Sequence, residues 1–177
     1  MPGFAACKGM LPLAAACMLA CSPFAKAQDI GGNFIDHVVR QIICRAPPDP
    51  TPTLFYLSKR KLIDLKNGKR IDSETCWSIR PPVEMDKVAF TDICASSEDP
   101  LLIELFPLLY YRGPGTSPGT GLRLVTKEDE STVDDWIERA KARLGISGET
   151  KLDIGEPELV SGKTEISCNG NSFLTSD

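Results

Sequence analysis

The chain has 177 residues, with 20 Lys or Arg, 24 Asp or Glu and a single His, for a net charge of −4. That length suits one domain with a short extension. An acidic balance with no basic cluster argues against nucleic acid and anionic membrane surfaces as partners.

The first 27 residues read as a secretory signal peptide. Lys8 precedes an apolar run from Met10 to Ala20, Ala25-Lys26-Ala27 forms a small-x-small cleavage signal, and the segment holds no acid. Cleavage after Ala27 leaves a domain of residues 28–177. The apolar run is shorter than the ~20 residues needed to cross a bilayer, so no integral span is expected in the mature form. Leu19-Ala20-Cys21 and Ala15-Ala16-Cys17 resemble lipobox sequences, which makes a lipid anchor at Cys21 or Cys17 the rival reading. Loss of Lys8 and Lys26 leaves 18 bases against 24 acids, a mature net charge of −6.

Four cysteines remain: Cys44, Cys76, Cys94 and Cys168. An even number in an exported chain predicts two disulfides, and no pair has the C-x₂₋₄-C spacing of a structural zinc site. All three connectivities stay open.

Asn33 is a candidate N-cap for a helix over Phe34–Arg45, whose Ile35, Val38, Val39, Ile42 and Ile43 make an apolar stripe. The proline-rich stretch from Ala46 to Pro52 ends it. Next, Asn67-Gly68 predicts a hairpin. A three-residue loop, Lys66-Asn67-Gly68, pairs Ile63 with Ile71 and puts Phe55, Leu57, Leu65, Trp77 and Ile79 on one face, with Cys76 on the other. "PPVEM" then turns the chain into a third strand, "KVAFTDICAS", with Val88 and Phe90 on one side and Ala89 and Ile93 on the other. Asp99 caps a short helix with Pro100 at its first position, and Pro107 stops it.

The apolar run "LLIELFPLL" leads into "YYRGPGTSPGTG" and then into "GLRLVT", an alternating strand with Leu122 and Leu124 inward. The strongest helix signal lies in "TKEDESTVDDWIERAKARLG". Thr126 or Ser131 caps it, Gly145 terminates it, and Val133, Trp136, Ile137, Ala140 and Leu144 form its buried stripe. Two short strands, "TKLDI" and "ELVSGKTEISC", close the chain around Ser161-Gly162. Local hairpins predict an antiparallel sheet, so the expected fold is α+β: one small domain, an N-terminal helix and a second amphipathic helix packed on the sheet, and two disulfides.

The chemistry is restrictive. His37 is the only histidine, on the polar side of its helix. Cys44 shares its azimuth but lies ~10.5 Å along the axis, beyond hydrogen-bond reach. One histidine cannot build a His-rich zinc site, and no G-x-S-x-G elbow is present. Acids such as Glu74, Asp86, Asp92 and Glu104 keep two-carboxylate hydrolysis open. No catalytic residue, cofactor or metal site is assigned. The glycine-rich loop is no phosphate cradle, because a strand and not a helix follows it. As a docking loop it nominates Tyr110, Tyr111, Arg112, Gly113, Thr116 and Ser117 for partner binding, with the tyrosines as amphipathic anchors.

These features predict an exported, periplasmic, non-catalytic binding protein whose partner is another periplasmic protein. The build resembles that of periplasmic inhibitor and immunity-type proteins, a likeness of architecture carried by no motif; an accessory role in an envelope complex fits equally. The alternatives are a carboxylate-dependent hydrolase acting on cell-wall or polysaccharide substrate, and a lipid-anchored structural envelope protein.

Overall fold

The structure, a computed structural model, describes residues 31–114, 119–159 and 161–168. Residues 1–27, which the sequence reads as a signal peptide, with the lipid-anchor candidates Cys17 and Cys21, and the docking candidates Thr116 and Ser117 fall outside these residues.

The chain forms α1 (Gly32–Ile42), α2 (Pro50–Lys59), a 3₁₀ turn (Leu65–Asn67), β1 (Lys69–Ile71), β2 (Glu74–Met85), β3 (Val88–Ser96), α3 (Pro100–Leu105), β4 (Gly121–Thr126), α4 (Glu130–Leu144), β5 (Leu152–Gly155) and β6 (Thr164–Cys168). The strands make one antiparallel sheet in the order β1-β2-β3-β4-β6-β5. The expected α+β fold is what forms. Val38, Val39 and Ile42 of α1 and Val133, Trp136 and Ala140 of α4 are buried in one core with Trp77, Phe90, Ile93, Leu124 and Ile166 of the sheet. Trp136 meets Phe90 edge-on at 5.1 Å and donates from Nε1 to the Met85 carbonyl at 2.9 Å, so the indole is both packed and satisfied. Both tryptophans are core residues, as their positions predict.

Two disulfides fix the connectivity that sequence left open. Cys44–Cys168 ties the end of α1 to β6 across 124 residues, and Cys76–Cys94 joins directly opposed residues of β2 and β3. Trp77 and Cys76 do face opposite ways: Trp77 enters the core, while the Cys76–Cys94 bridge forms a small outer cluster with Val125.

Several local expectations are corrected. Phe55 and Leu57 belong to a helix, α2, and not to a strand. Pro50 sits at its first position behind Asp49, where a fixed φ suits a helix and a missing N–H costs nothing. Pro52 is tolerated for the same reason, because it lies within the first turn. α1 is capped by Gly31 in place of Asn33.

The hairpin turn lies at Asp72-Ser73, not Asn67-Gly68. Ile71 pairs with Glu74 and Lys69 with Cys76, and Asp72 takes the left-handed φ of 45°. Asp64 diverts the earlier candidate: its carboxylate accepts from Lys66 N at 3.0 Å and Asn67 Nδ2 at 2.7 Å, winding 65–67 into the 3₁₀ turn. Gly68 has φ −65°, so it serves no turn. A Cβ there would lie 2.7 Å from Trp77 Nε1, so the glycine makes room for the indole.

β2 continues through Pro81 and Pro82 to Met85, past a register shift between Ser78 and Val83, and the chain reverses at Asp86-Lys87, both left-handed. A register shift between Phe90 and Asp92 breaks the alternation of β3. Phe90 and Ile93 therefore share the inner face, while Asp92 and Cys94 face outward. α4 is capped by Asp129, which accepts from Thr132 N at 2.8 Å; Thr126 and Ser131 do not cap it. Gly145 ends α4 at φ 65°, as predicted. Among the described residues of "ELVSGKTEISC", Thr164–Cys168 alone is strand.

Candidate functional site

α3 is short because Pro100 starts it and Pro107 follows it closely. Asp99 accepts from Leu101 N at 2.8 Å, which satisfies one of the orphan amides. Six residues cannot turn every side chain of "LLIELFPLL" inward. Leu102, Ile103 and Phe106 pack on the core, and Leu109 and Tyr110 are buried in it. Leu101, Leu105 and Leu108 stay outside. With Phe55 and Tyr111 they are the exposed large hydrophobics among the described residues, each 37–60% accessible. Phe55 reaches this face from α2 through an edge-on contact with Phe106 at 5.6 Å.

The segment after α3 is pinned to the β1–β2 hairpin. Arg70 donates from Nη2 to the Pro107 carbonyl at 2.6 Å and lays its guanidinium over the Tyr111 ring at 5.1 Å. Gly113 lies against the turn itself, since a Cβ there would sit 1.7 Å from the Asp72 carbonyl oxygen.

The four nominated docking residues that the structure describes therefore separate. Tyr110 lies in the core, where burial pushes its phenol pKa up and Thr51 Oγ1 hydrogen-bonds its hydroxyl at 2.6 Å. Tyr111 and Arg112 are exposed, and Gly113 anchors the base of the loop. Phe55, Leu101, Leu105 and Leu108 were not nominated. The signal for the three leucines was available in the run "LLIELFPLL", which is too apolar for a helix so tightly bounded by prolines; Phe55, on α2, lies outside that run.

The outer face of the sheet holds the carboxylates. Arg123 on β4 lies between Glu74 and Glu165, with Nε 2.9 Å from Glu74 Oε1 and Nη1 2.9 Å from Glu165 Oε1. Burial raises the Glu74 pKa against the pull of Arg123. Burial also pushes on Asp92, but hydrogen bonds from Lys163, Thr91 and Ser78 outweigh it and hold that carboxyl below its usual value. Asp86 pairs with Arg143 at 2.7 Å, and Glu104 is exposed on α3. Glu74 and Asp92 are thus each held by a cation of their own, Arg123 and Lys163. Glu74 lies near Cys76 and Cys94, but the two sulfurs are bonded to each other, so neither is a thiolate ligand. His37 is exposed and accepts from Gln41 Nε2 at 2.9 Å.

A cleft of about 620 Å³ opens where the 61–67 connection passes the outer face of β1 and β2, and the Leu62 carbonyl accepts from Arg80 N at 2.8 Å. Its lining includes Lys61, Lys69 and Arg80, with Asp64, Ser78 and Asp92. This corrects the reading that the chain has no basic cluster. Residues 59–80 carry seven Lys or Arg against three Asp or Glu, a local excess of four in an acidic protein. Lys59-Arg60-Lys61 is their one run, and the cleft takes one member of it, Lys61, together with Lys69 and Arg80.

No protein-family model, curated protein or solved structure matches the chain. Among the described residues no helix is long and apolar enough to cross a membrane.

Proposed function

We propose that the protein is an exported, non-catalytic binding protein that captures another periplasmic protein through the apolar face built by α3, residues 106–111 and Phe55. One observation carries this reading: four of the five exposed large hydrophobics among the described residues fall within 101–111, just before the glycine-rich loop, and the fifth, Phe55, touches Phe106 of the same segment. Isolated apolar side chains are ordinary on a protein surface, whereas a cluster ringed by polar residues marks an interaction site. Tyr111 supplies an amphipathic anchor, already oriented by Arg70. Two disulfides suit the oxidising compartment that the N-terminal sequence addresses. An inhibitor of a cell-wall enzyme and an accessory of an envelope complex both fit this design. The soluble form follows from cleavage after Ala27.

The test compares wild-type protein with the Leu101→Glu/Leu105→Glu variant in capture from an envelope extract of the native host. Both leucines are more than half exposed, so the variant folds with little loss of stability. Burying each leucine's remaining apolar surface contributes roughly 1–2 kcal/mol, and a glutamate forced into the same contact opposes binding. The captured protein should fall by about a hundredfold or more. A partner retained equally by both forms would move the interface elsewhere.

A further inference from the structure

The cleft beside β1 has a charge pattern that its own fold does not use. Asp64 is engaged in holding the 3₁₀ turn, through Lys66 N and Asn67 Nδ2. Asp92, at the cleft wall, is neutralised by Lys163 and bonded by Ser78 and Thr91. Among the described residues no ion pair joins Lys61, Lys69 or Arg80 to an acid. Asp64 keeps its charge, so three cations and one uncompensated carboxylate line the concavity, a formal excess of two positive charges. A cleft with an excess of one sign focuses the field and concentrates counter-ions of the other.

Lys61 adds a separate observation. It follows the C-cap of α2 at φ 59°, the left-handed position where helices usually place glycine. A lysine there is sterically disfavoured, yet it brings a cation to the cleft mouth. Arg80 and Lys69 are both exposed, on β2 and the edge strand β1. Together they offer two point charges and one planar fork, a set that suits oxyanions. The cleft volume lies within the roughly 300–1,000 Å³ of small-ligand sites.

We propose that this cleft binds a small polyanion, a molecule carrying two or more phosphate or carboxylate groups, with Lys61, Lys69 and Arg80 as its ligands. The site is separate from the apolar face, and neither depends on the other.

Calorimetric titration of the mature protein with inorganic pyrophosphate and with citrate tests it. Saturable one-to-one binding of at least one probe is expected, and the tighter probe distinguishes a phosphate source from a carboxylate source. Affinity should fall steeply between about 50 and 200 mM salt. Arg80→Gln and Lys69→Gln should each weaken binding by about tenfold, while Lys127→Gln, outside the cleft, leaves it unchanged. Lys61→Gly is the sharpest variant: it removes the cation and the steric conflict together, so affinity drops about tenfold while the unfolding midpoint holds or rises. The proposal is overturned if neither probe saturates, or if Lys127→Gln weakens binding as much as the cleft variants do.

Discussion

Gly113→Ala is a one-carbon change whose cost can be worked from the contacts around it. The added Cβ would stand 1.7 Å from the Asp72 carbonyl oxygen and 2.2 Å from its carbon. Both are backbone atoms in a two-residue turn, so no side chain can swing aside. Separation to ordinary contact requires the 107–113 segment and the β1–β2 turn to part by more than an ångström. Two contacts bind these pieces: the hydrogen bond from Arg70 to the Pro107 carbonyl and the Arg70–Tyr111 stack. A charge-assisted bond contributes about 1.5–3 kcal/mol, at the low end where exposed, and an exposed cation–π contact about 0.5–1 kcal/mol. The expected loss is therefore about 2 kcal/mol, within the usual range for overpacking. Urea unfolding measures it directly. The mechanism is checked by repeating the substitution in an Arg70→Ala background. If alanine acts by displacing the segment from Arg70, the two losses overlap and the double variant falls short of their sum by roughly 1 kcal/mol or more. A Gly113→Ala cost under about 0.5 kcal/mol, or full additivity with Arg70→Ala, would refute the claim that this segment is pinned to the hairpin.

The remaining predictions concern the covalent frame and the outer sheet face. Replacing Cys44 and Cys168 together by Ala frees a loop spanning 124 residues, and the unfolding free energy in urea should drop by roughly 4–5 kcal/mol. A drop below about 1 kcal/mol would mean that the bridge does not constrain the unfolded chain. Glu74 has a raised folded-state pKa, so the folded protein keeps its proton above the ordinary carboxylate value and loses stability as pH rises through that window. Glu74→Gln should flatten this slope in urea midpoints taken from mildly acidic to neutral pH; an unchanged slope would assign it to other groups. Asp92 behaves oppositely. Its contribution is present above the unfolded carboxylate value and is lost as pH falls through its lowered folded value, so Asp92→Asn should weaken the acid-side decline while lowering stability at neutral pH.

How much of this was legible in the sequence depended on whether a signal was local. The stripe of α4 with its Gly145 terminus, the Asp99-Pro100 start of α3 and the alternation of β4 each lie within one turn or one strand, and each reads directly. Asp49-Pro50 carries the same start signal as Asp99-Pro100, but the preceding prolines masked it, and α2 read as a strand. Asn67-Gly68 misled because the deciding group, the Asp64 carboxylate, caps the turn from outside the dipeptide. The irregularity near Thr91 reverses the faces of β3 at the cost of a single residue, and no residue type there announces it.

For the sites, the apolar run 101–109 was visible, yet which leucines remain outside depends on how α3 settles against Leu102 and Ile103. Tyr110 looked like an anchor and is a core residue, because Thr51 at the start of α2 supplies the partner its hydroxyl needs. The basic cleft escaped because its three cations come from the end of α2, from β1 and from the middle of β2. A count of charge across 59–80 would have exposed the imbalance, though not the concavity.

Hydrogen exchange on the complex with the captured partner addresses the docking claim with the fewest assumptions, since it needs no variant and reads the whole surface at once. Amides from Leu101 to Tyr111, with those around Phe55, should gain protection on binding while the β5–β6 edge stays unchanged. Protection confined to β5, β6 or the outer sheet face, with 101–111 exchanging as in the free protein, would contradict the assignment of the partner site to α3.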